Sequence, residues 1–357
     1  KVCFMKFKIA DNIIGDGYPV FFIAEAGVNH NGSIELGRKL IEIAKEAGAD
    51  AVKFQTFKTE NIITKTAPKS TYHIETTGSD EDQSWFDLLK TQEMSKEMHI
   101  ELIEHCKSVG IIFLSTPYDE ESADLLESLD VPAFKIASTD TSNIPLLRYI
   151  AKKGRPMIIS SAMATMEEVE NAVAAVREEG LNAVAMLQCT GNYPAKLTDT
   201  NLRVLQTYRE QLQCIVGYSD HTPDLINPIA ATAMGANIYE KHFTVDRDLP
   251  GPDHRMSLNP EKLKETIQAI RDTEAALGSP QKLVLEAEKE NRIKLRKSVV
   301  ANLNIKKGET ISPGDIIISI SKDDVETSKS ENTIEDEKQT VNEIIITVKK
   351  NDTFFKI

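Results

Sequence analysis

Segments 214–222 (CIVGYSDHT) and 237–244 (NIYEKHFT) decide the fold class of this chain. Each is a short apolar run, rich in β-branched and aromatic residues, that ends in polar, chemically capable side chains. Six earlier segments have the same character: 20–27 (VFFIAEAG), 51–57 (AVKFQTF), 111–117 (IIFLSTP), 133–140 (AFKIASTD), 156–163 (PMIISSAM) and 183–194 (AVAMLQCTGNYP). Amphipathic stretches separate most of the runs. This alternation predicts an α/β fold, a (β/α)8 TIM barrel.

A barrel of this kind places its chemistry at the C-terminal ends of the strands. The end of each run therefore supplies the candidate site residues. They are Glu25, Lys53, Thr116, Lys135 with Ser138, Ser161, Tyr193, Ser219 with His221, and Glu240 with His242.

Changes in sequence texture suggest the domain boundaries. Residues 1–280 are predicted to form the catalytic barrel, with a hairpin over Phe7–Gly17 that plugs its bottom. Residues 281–297 are a charged linker, and short β runs from Ser298 onward predict a small β-rich domain over 298–357. Asn61–Trp85 is polar and long for a barrel loop, so we expect it to carry substrate contacts.

Bulk composition excludes several function classes. A net charge of −13 argues against nucleic-acid or anionic-membrane partners, while a few buried lysines can still bind a small anion. The four cysteines lack metal-site spacing and are interpreted as reduced thiols of a cytoplasmic protein. No apolar run reaches membrane-spanning length, and the N-terminus lacks the layout of a signal peptide.

His221 and His242 end the seventh and eighth runs, which are adjacent strands of a closed barrel. Two imidazoles at neighbouring strand ends can share one divalent metal ion, and two protein ligands leave positions open for an oxygen-bearing substrate. The alternative is that each is an ordinary hydrogen-bonded histidine.

Lys53 and Lys135 lie inside β runs, where a lysine charge needs a partner. Pointing into the barrel mouth, both would converge on an anion such as a phosphate together with a carboxylate. The alternative is a pair of structural salt bridges to Glu25 and Asp140. Glu25 itself is a candidate general base or charge stabiliser, and otherwise a partner for a strand lysine.

Asp253 lies in a Gly/Pro-rich segment, 247–257 (RDLPGPDHRMS). Such a segment has few accessible shapes, so the carboxylate is predicted to be held in one direction, where it could grip a polyol. The alternative is a plain turn into the next helix.

Together these motifs resemble the sialic-acid synthase family. The matching segments are IAEAGVNHNG, GADAVKFQTF, IFLSTPYD, AFKIAST, NIPLL, CTGNYPA, VGYSDHT, GANIYEKHFT, GPDHRMSLNP and RKSVVANLNIKKGE, spanning roughly residues 20–310. The resemblance implies condensation of phosphoenolpyruvate with an N-acylated hexosamine of the N-acetylmannosamine type. The product would be a nine-carbon keto-sugar acid for surface glycans, made with release of phosphate.

The resemblance also assigns roles. Metal ligands fall on His221 and His242, for Mn²⁺ or otherwise Mg²⁺ or Co²⁺, and the catalytic acidic residue falls on Glu25. Sugar contacts fall on Tyr193 and Asp253. Contacts to phosphoenolpyruvate fall on Lys53, Thr116, Lys135, Ser138 and Ser219. The family is further characterised by a homodimer that exchanges small antifreeze-protein-like C-terminal domains.

The chain departs from the family pattern at several positions. Gly191 stands where a phosphate-binding Asn is expected, and Asn192, one place later, is the predicted substitute. Asp140 replaces a Glu, and SSAM replaces STGM at the fifth run. The KRPG motif that sends an Arg into the partner's site is replaced by SISKDD, with Ser321 near the position of that Arg. The C-terminal domain is therefore expected to be divergent.

Two other functions remain open on the sequence alone. The loop 72–83 (YHIETTGSDEDQ) resembles that of N,N'-diacetyllegionaminate synthases, which use a 2,4-diacetamido-6-deoxy sugar. A non-catalytic barrel with an eroded C-terminal domain is the further alternative.

Overall fold

The computed structural model describes residues 5–79, 83–296, 298–301 and 318–321. The chain begins with the expected hairpin, in which β1 (Lys6–Ile9) pairs with β2 (Asn12–Gly15) in antiparallel register. Ile9 and Ile14 of this hairpin are buried in one cluster with residues from the N-terminal ends of the following strands. The hairpin thus closes the end of the barrel opposite the candidate site.

Eight parallel strands form the barrel, which confirms the predicted (β/α)8 fold. Their order around the sheet is β5-β4-β3-β10-β9-β8-β7-β6, and β5 lies beside β6 without a described ladder between them. The strands are β3 (Phe21–Gly27), β4 (Ala51–Thr56), β5 (Ile112–Pro117), β6 (Phe134–Ile136), β7 (Met157–Ser160), β8 (Val184–Cys189), β9 (Ile215–Asp220) and β10 (Ile238–His242).

Capping residues predicted from the sequence mark the ends of the barrel helices. In α1, for example, Ser33 Oγ accepts a hydrogen bond from the backbone N–H of Leu36, and Gly48 ends the helix at a φ of 91°. The helices are α1 (Ile34–Ala47), α2 (Thr59–Ile62), α3 (Thr71–Thr77), α4 (Trp85–Lys90), α5 (Lys96–Val109), α6 (Glu120–Ser128), α7 (Ile144–Ala151), α8 (Met166–Glu178), α9 (Val204–Leu212), α10 (Ile226–Ala233) and α11 (Pro260–Leu277).

Strand alternation separates two layers of side chains. In β3, Phe21 and Ile23 face the barrel interior, while Phe22 and Ala24 pack against the surrounding helices. The same alternation sends Glu25 inward at the end of the strand. This period of two places the polar end of each run in the barrel mouth.

The segment expected to be a long loop, Asn61–Trp85, is not wholly irregular. It contains α3, which Ser70 caps through its side-chain oxygen, and it runs into α4. The rings of His73 and Trp85 stack with centroids 4.2 Å apart, so an aromatic contact supports this part of the loop.

The chain divides into two compact units, Lys1–Pro280 and Gln281–Ile357. The described part of the second unit contains α12 (Lys289–Leu295) and an antiparallel pair, β11 (Ser298–Ala301) with β12 (Ile318–Ser321). The remainder of the predicted C-terminal domain over 298–357 lies outside the described residues. Among the helices described, none combines the length and apolar character needed to cross a bilayer.

Candidate active site

The C-terminal ends of the strands enclose a cavity of about 190 Å³. Ten of the predicted site residues line it, namely Glu25, Lys53, Thr116, Lys135, Ser138, Tyr193, Ser219, His221, Glu240 and His242. A larger cleft of about 920 Å³ lies beside α9 and α10, and Ser161 is the one predicted residue that lines it. The strand-end cavity is therefore the candidate site, because acids, lysines and imidazoles converge in it.

The two lysines are buried, and each is paired with a carboxylate. Lys53 Nζ lies 2.5 Å from Glu25 Oε2, and the two residues occupy the same rung of the β3–β4 ladder. Lys135 Nζ lies 3.5 Å from Glu240 Oε1, and Lys53 Nζ lies 3.8 Å from Glu240 Oε2. The alternative partner Asp140 is thus wrong for Lys135, since Asp140 instead bonds to neighbours in its own loop.

Hydroxyl groups hold the lysines in place from the other side. Lys53 Nζ donates to Thr116 Oγ1 at 3.1 Å, and Lys135 Nζ donates to Ser160 Oγ at 2.7 Å. Ser219 Oγ donates to Glu240 Oε1 at 3.1 Å. Charges and hydroxyls therefore form one connected network across the barrel interior.

Burial sets the protonation of the carboxyl groups. Removal from water raises the pKa of Glu25 to about 7, against the opposing pull of Lys53. Burial works against ionisation of Glu240 as well, but Lys135 and Lys53 outweigh it, so the pKa of Glu240 is lowered. Burial lowers the pKa of Lys135. Two adjacent carboxyl groups thus have pKa values pushed in opposite directions, a pattern typical of acid–base sites.

The two histidines face one another beside this network. Their ring centroids are 5.8 Å apart, and His221 is oriented by a hydrogen bond of 2.6 Å between its Nδ1 and the carbonyl oxygen of Thr190. His242 Nδ1 is buried without a hydrogen-bond partner in the described part of the chain, and Asp253 Oδ2 lies 4.0 Å from it. Burial, followed by the neighbouring His221, lowers the pKa of His242 well below its ordinary value.

This arrangement fits a divalent ion held by the two imidazoles. The Nδ1 atom of His242 is a buried polar atom for which the described residues supply no hydrogen-bond partner. Among the described residues, no group of three or more His, Cys, Asp and Glu side chains gathers around one point. The remaining ligands of an ion would therefore come from water or substrate, as an open catalytic site requires.

Aromatic rings form the wall next to the histidines. The Tyr193 ring lies over the His221 ring, with centroids 4.0 Å apart, and meets the His242 ring edge-on at 6.1 Å. Tyr72, from α3, approaches Tyr193 at 6.2 Å between ring centroids. The α3 segment thus approaches the Tyr193 side of the barrel mouth.

The predicted orientation of Asp253 has a clear structural basis. His254 Nδ1 contacts Thr244 Oγ1 at 2.6 Å, its Nε2 contacts Asn31 Oδ1 at 3.2 Å, and Asn31 Nδ2 donates to the carbonyl of Pro250 at 2.8 Å. Burial raises the pKa of Asp253 to about 6. Asn31, the last residue of the NHN sequence after β3, therefore helps to fix the loop that holds the Asp253 carboxylate near His242.

Three predicted residues do not line the cavity, namely Ser161, Asn192 and Asp253, although Asp253 Oδ2 lies 4.0 Å from His242 Nδ1. Asn192 is exposed and does not line it, and Met163 instead packs near Gly191, where an added Cβ would lie 3.2 Å from Met163 Cγ. Ser161 also lies outside the cavity, where it accepts a hydrogen bond from Tyr208. The peptide bond between Tyr193 and Pro194, just beyond Asn192, is cis.

Sequence reasoning gave too little weight to some residues that do line the cavity. Glu240 was noted at its strand end but was assigned no role, and Gln55, Tyr118, Ser160 and Cys189 were not proposed. Alternation could have identified Glu240, which is two residues before His242 and so shares its face. The described cysteines, Cys106, Cys189 and Cys214, are free and buried, and Cys3 lies outside the described residues.

Comparison with known proteins agrees with this geometry. Residues 40–282 match the NeuB family. The chain is 43% identical over 308 residues to N,N'-diacetyllegionaminic acid synthase of Legionella pneumophila subsp. pneumophila, covering 85% of this chain and 86% of that protein. It is 38% identical over 300 residues to human (Homo sapiens) N-acetylneuraminate-9-phosphate synthase, covering 84% and 82%.

A solved structure gives the same result. The N-acetylneuraminic acid (sialic acid) synthetase of Leptospira borgpetersenii serovar Hardjo-bovis, in complex with citrate, matches with a TM-score of 0.72 and 32% identity, covering 81% of this chain and 95% of that one. The resemblance drawn from the motifs is thus confirmed, and the chain belongs to the NeuB family of sialic-acid synthases.

Proposed function

We propose that this protein condenses phosphoenolpyruvate with the aldehyde form of an N-acylated hexosamine, releasing phosphate and forming a nine-carbon keto-sugar acid. The observation that carries the proposal is the meeting of two buried lysines and two half-buried imidazoles in one strand-end cavity. The synthase names of relatives at 38–43% identity support the same reaction class.

The lysine side of the cavity would bind phosphoenolpyruvate. Lys53 and Lys135 supply positive charge, and Thr116, Ser138 and Ser219 supply hydroxyl donors for the phosphate and carboxylate oxygens. Ser138 Oγ is held by the backbone N–H of Ala162 at 3.0 Å, so its position is set before substrate arrives.

The histidine side would bind a divalent metal, with Mn²⁺ as first candidate and Mg²⁺ or Co²⁺ as alternatives. His221 and His242 would hold it, and when bound it would polarise the sugar aldehyde as a Lewis acid. Asp253 would orient the sugar hydroxyls, and Tyr193 would pack against the sugar where its ring covers His221.

The reaction then follows from the chemistry of the two substrates. Electrons from the C2=C3 bond of phosphoenolpyruvate form a C–C bond to the aldehyde carbon, which leaves C2 electron-deficient. The C=O π electrons of the aldehyde move onto its oxygen, which takes up a proton and becomes a hydroxyl. Water adds at C2, and cleavage of a C–O bond expels inorganic phosphate and leaves the ketone. Glu25, with a pKa of about 7, is suited to take the proton of the attacking water or to stabilise the developing positive charge.

Two sugars are candidates for the acceptor. N-acetylmannosamine is the first, and a 2,4-diacetamido-6-deoxy sugar is the second. The second is favoured by the 43% identity to the Legionella legionaminic acid synthase and by the approach of Tyr72 to Tyr193, which brings the 72–83 segment to the mouth. We also propose a homodimer, on the family resemblance alone, to be checked by sedimentation velocity.

Phosphate release is the test of this function. The protein would be incubated with phosphoenolpyruvate, Mn²⁺ and each sugar in turn, and inorganic phosphate and the keto-sugar product would be quantified. We expect one phosphate per product with a preferred N-acyl sugar, loss of turnover with EDTA, and recovery with Mn²⁺. Absence of phosphate with every sugar would instead support a non-catalytic barrel.

A further inference from the structure

A buried ion pair lies directly behind the two histidines, outside the cavity. Lys241 Nζ is 2.6 Å from Asp220 Oδ2, and the two side chains are 3% and 0% exposed. Neither residue lines the strand-end cavity. The mechanism above gives this pair no role.

The position of the pair in the sheet is informative. Asp220 and Lys241 form the last paired rung between β9 and β10. Each is followed immediately in sequence by one of the histidines, and alternation turns that next side chain into the barrel. The ion pair therefore joins the two strands at the rung from which His221 and His242 emerge.

Further bonds tie down the chain after His221. Asp220 Oδ1 accepts from the backbone N–H of Thr222 at 2.9 Å and from its hydroxyl at 2.8 Å. Lys241 Nζ also donates to the carbonyl oxygen of Thr222. The backbone is thus fixed on both sides of His221, and Tyr239 donates a hydrogen bond of 2.6 Å to Asp220 Oδ2.

We propose that Asp220 and Lys241 are positioning residues that preset the distance between His221 and His242, and thereby set the affinity for the divalent ion. The proposal rests on the metal site of the proposed function. It explains why a costly buried ion pair occurs here, since such a pair adds little stability compared with apolar side chains of equal size. The directional bonds of the ion pair fix the backbone from which the two histidines project.

The contact of His221 with Thr190 does not replace this role. The hydrogen bond to the Thr190 carbonyl orients the ring and fixes which nitrogen is available. Thr190 directly follows β8, so this hydrogen bond does not fix the distance between His221 and His242. The Asp220–Lys241 pair, in contrast, joins β9 to β10 at the rung directly before the two histidines.

The test is a titration of the full-length protein with Mn²⁺ alone, with free Mn²⁺ followed by electron paramagnetic resonance. Asp220→Asn and Lys241→Gln should each bind Mn²⁺ about 10- to 100-fold more weakly, the scale seen when groups that orient metal ligands are removed. Asp220→Glu should retain more affinity than Asp220→Asn. Measurements are made well below each variant's Tm.

A partly exposed ion pair in the same barrel provides the control, with side chains 29% and 27% exposed. Arg271 Nη2 lies 2.9 Å from Asp50 Oδ2, near the N-terminal ends of the strands and away from the cavity. Asp50→Asn should lower Tm while leaving the Mn²⁺ Kd unchanged. Loss of stability and loss of metal affinity are separated in this way.

The outcomes are distinct. If Asp220→Asn and Lys241→Gln bind Mn²⁺ as tightly as wild type while His242→Ala does not, the positioning role is overturned and the metal site stands. If wild type itself fails to bind Mn²⁺, both are overturned. Should a single variant not fold, the neutral pair Asp220→Asn/Lys241→Gln replaces it, with the same loss of Mn²⁺ affinity expected.

Discussion

Replacing Lys135 by Met separates the two explanations for a buried lysine in the barrel mouth. The Lys135 ammonium lies 3.5 Å from Glu240 and donates to Ser160 at 2.7 Å. If it serves only to balance Glu240, its loss should be repaired by neutralising that carboxylate. If it binds phosphoenolpyruvate, the repair should restore stability and leave binding impaired.

The geometry sets the size of the effect on stability. Two unit charges 3.5 Å apart attract by about 5 kcal/mol at an effective dielectric constant of ~20. Removing one partner of a buried pair costs roughly 3–5 kcal/mol, because the other charge remains buried. Glu240 would keep Lys53 at 3.8 Å and the Ser219 hydroxyl, so the lower part of that range is expected for Lys135→Met.

Two measurements on three variants decide the question. Urea unfolding should show Lys135→Met destabilised by about 3 kcal/mol and the double variant Lys135→Met/Glu240→Gln restored to most of wild-type stability. Calorimetry should show phosphoenolpyruvate binding weakened by about 2–5 kcal/mol in both variants, which is at least ~25-fold in Kd. Glu240→Gln alone serves as the control for loss of the carboxylate.

Wild-type affinity for phosphoenolpyruvate in the folded double variant would refute this reasoning. Lys135 would then be a counter-ion of Glu240, and the anion would have to bind elsewhere in the mouth.

Three further predictions concern the acids of the site. Glu25→Gln should keep phosphoenolpyruvate affinity and lower kcat roughly a hundredfold or more, and an unchanged kcat would reduce Glu25 to a partner of Lys53. Because the pKa of Glu25 in the fold is about 7, above its ordinary 4.5, the folded state holds this proton more tightly. The contribution of protonated Glu25 to the free energy of unfolding should be complete below pH 4.5 and be lost as the pH rises through 7. The urea midpoint of the wild type should therefore fall more across this pH range than that of Glu25→Gln. Equal slopes would contradict the raised pKa. Asp253→Asn should raise the KM for the sugar roughly tenfold to a hundredfold, the scale of a charge-assisted bond of about 1.5–3 kcal/mol, with the KM for phosphoenolpyruvate as the internal control.

Local sequence was sufficient for the fold class and for much of the site. Eight short apolar runs separated by amphipathic stretches follow the physical periods of strand and helix, and these periods are visible in any window of the chain. Because parallel barrel strands all end on one face, the polar residues in and after each run predicted that Glu25, Lys53, Lys135, His221 and His242 lie together. The hairpin and the cap of α1 follow equally local rules.

Partner choice across the barrel was decided only by tertiary structure. Lys135 on β6 meets Glu240 on β10, far away in sequence, because closure of the barrel makes non-adjacent strands face each other across the interior. The nearby Asp140 was the sequence-local choice, and it was wrong because its loop folds away onto Asn143. Asn192 fails for a related reason, since position along a loop does not specify which way a side chain turns. Periodicity determines which face a residue occupies, whereas the group it meets, and hence its charge state, depends on long-range packing that no local pattern encodes.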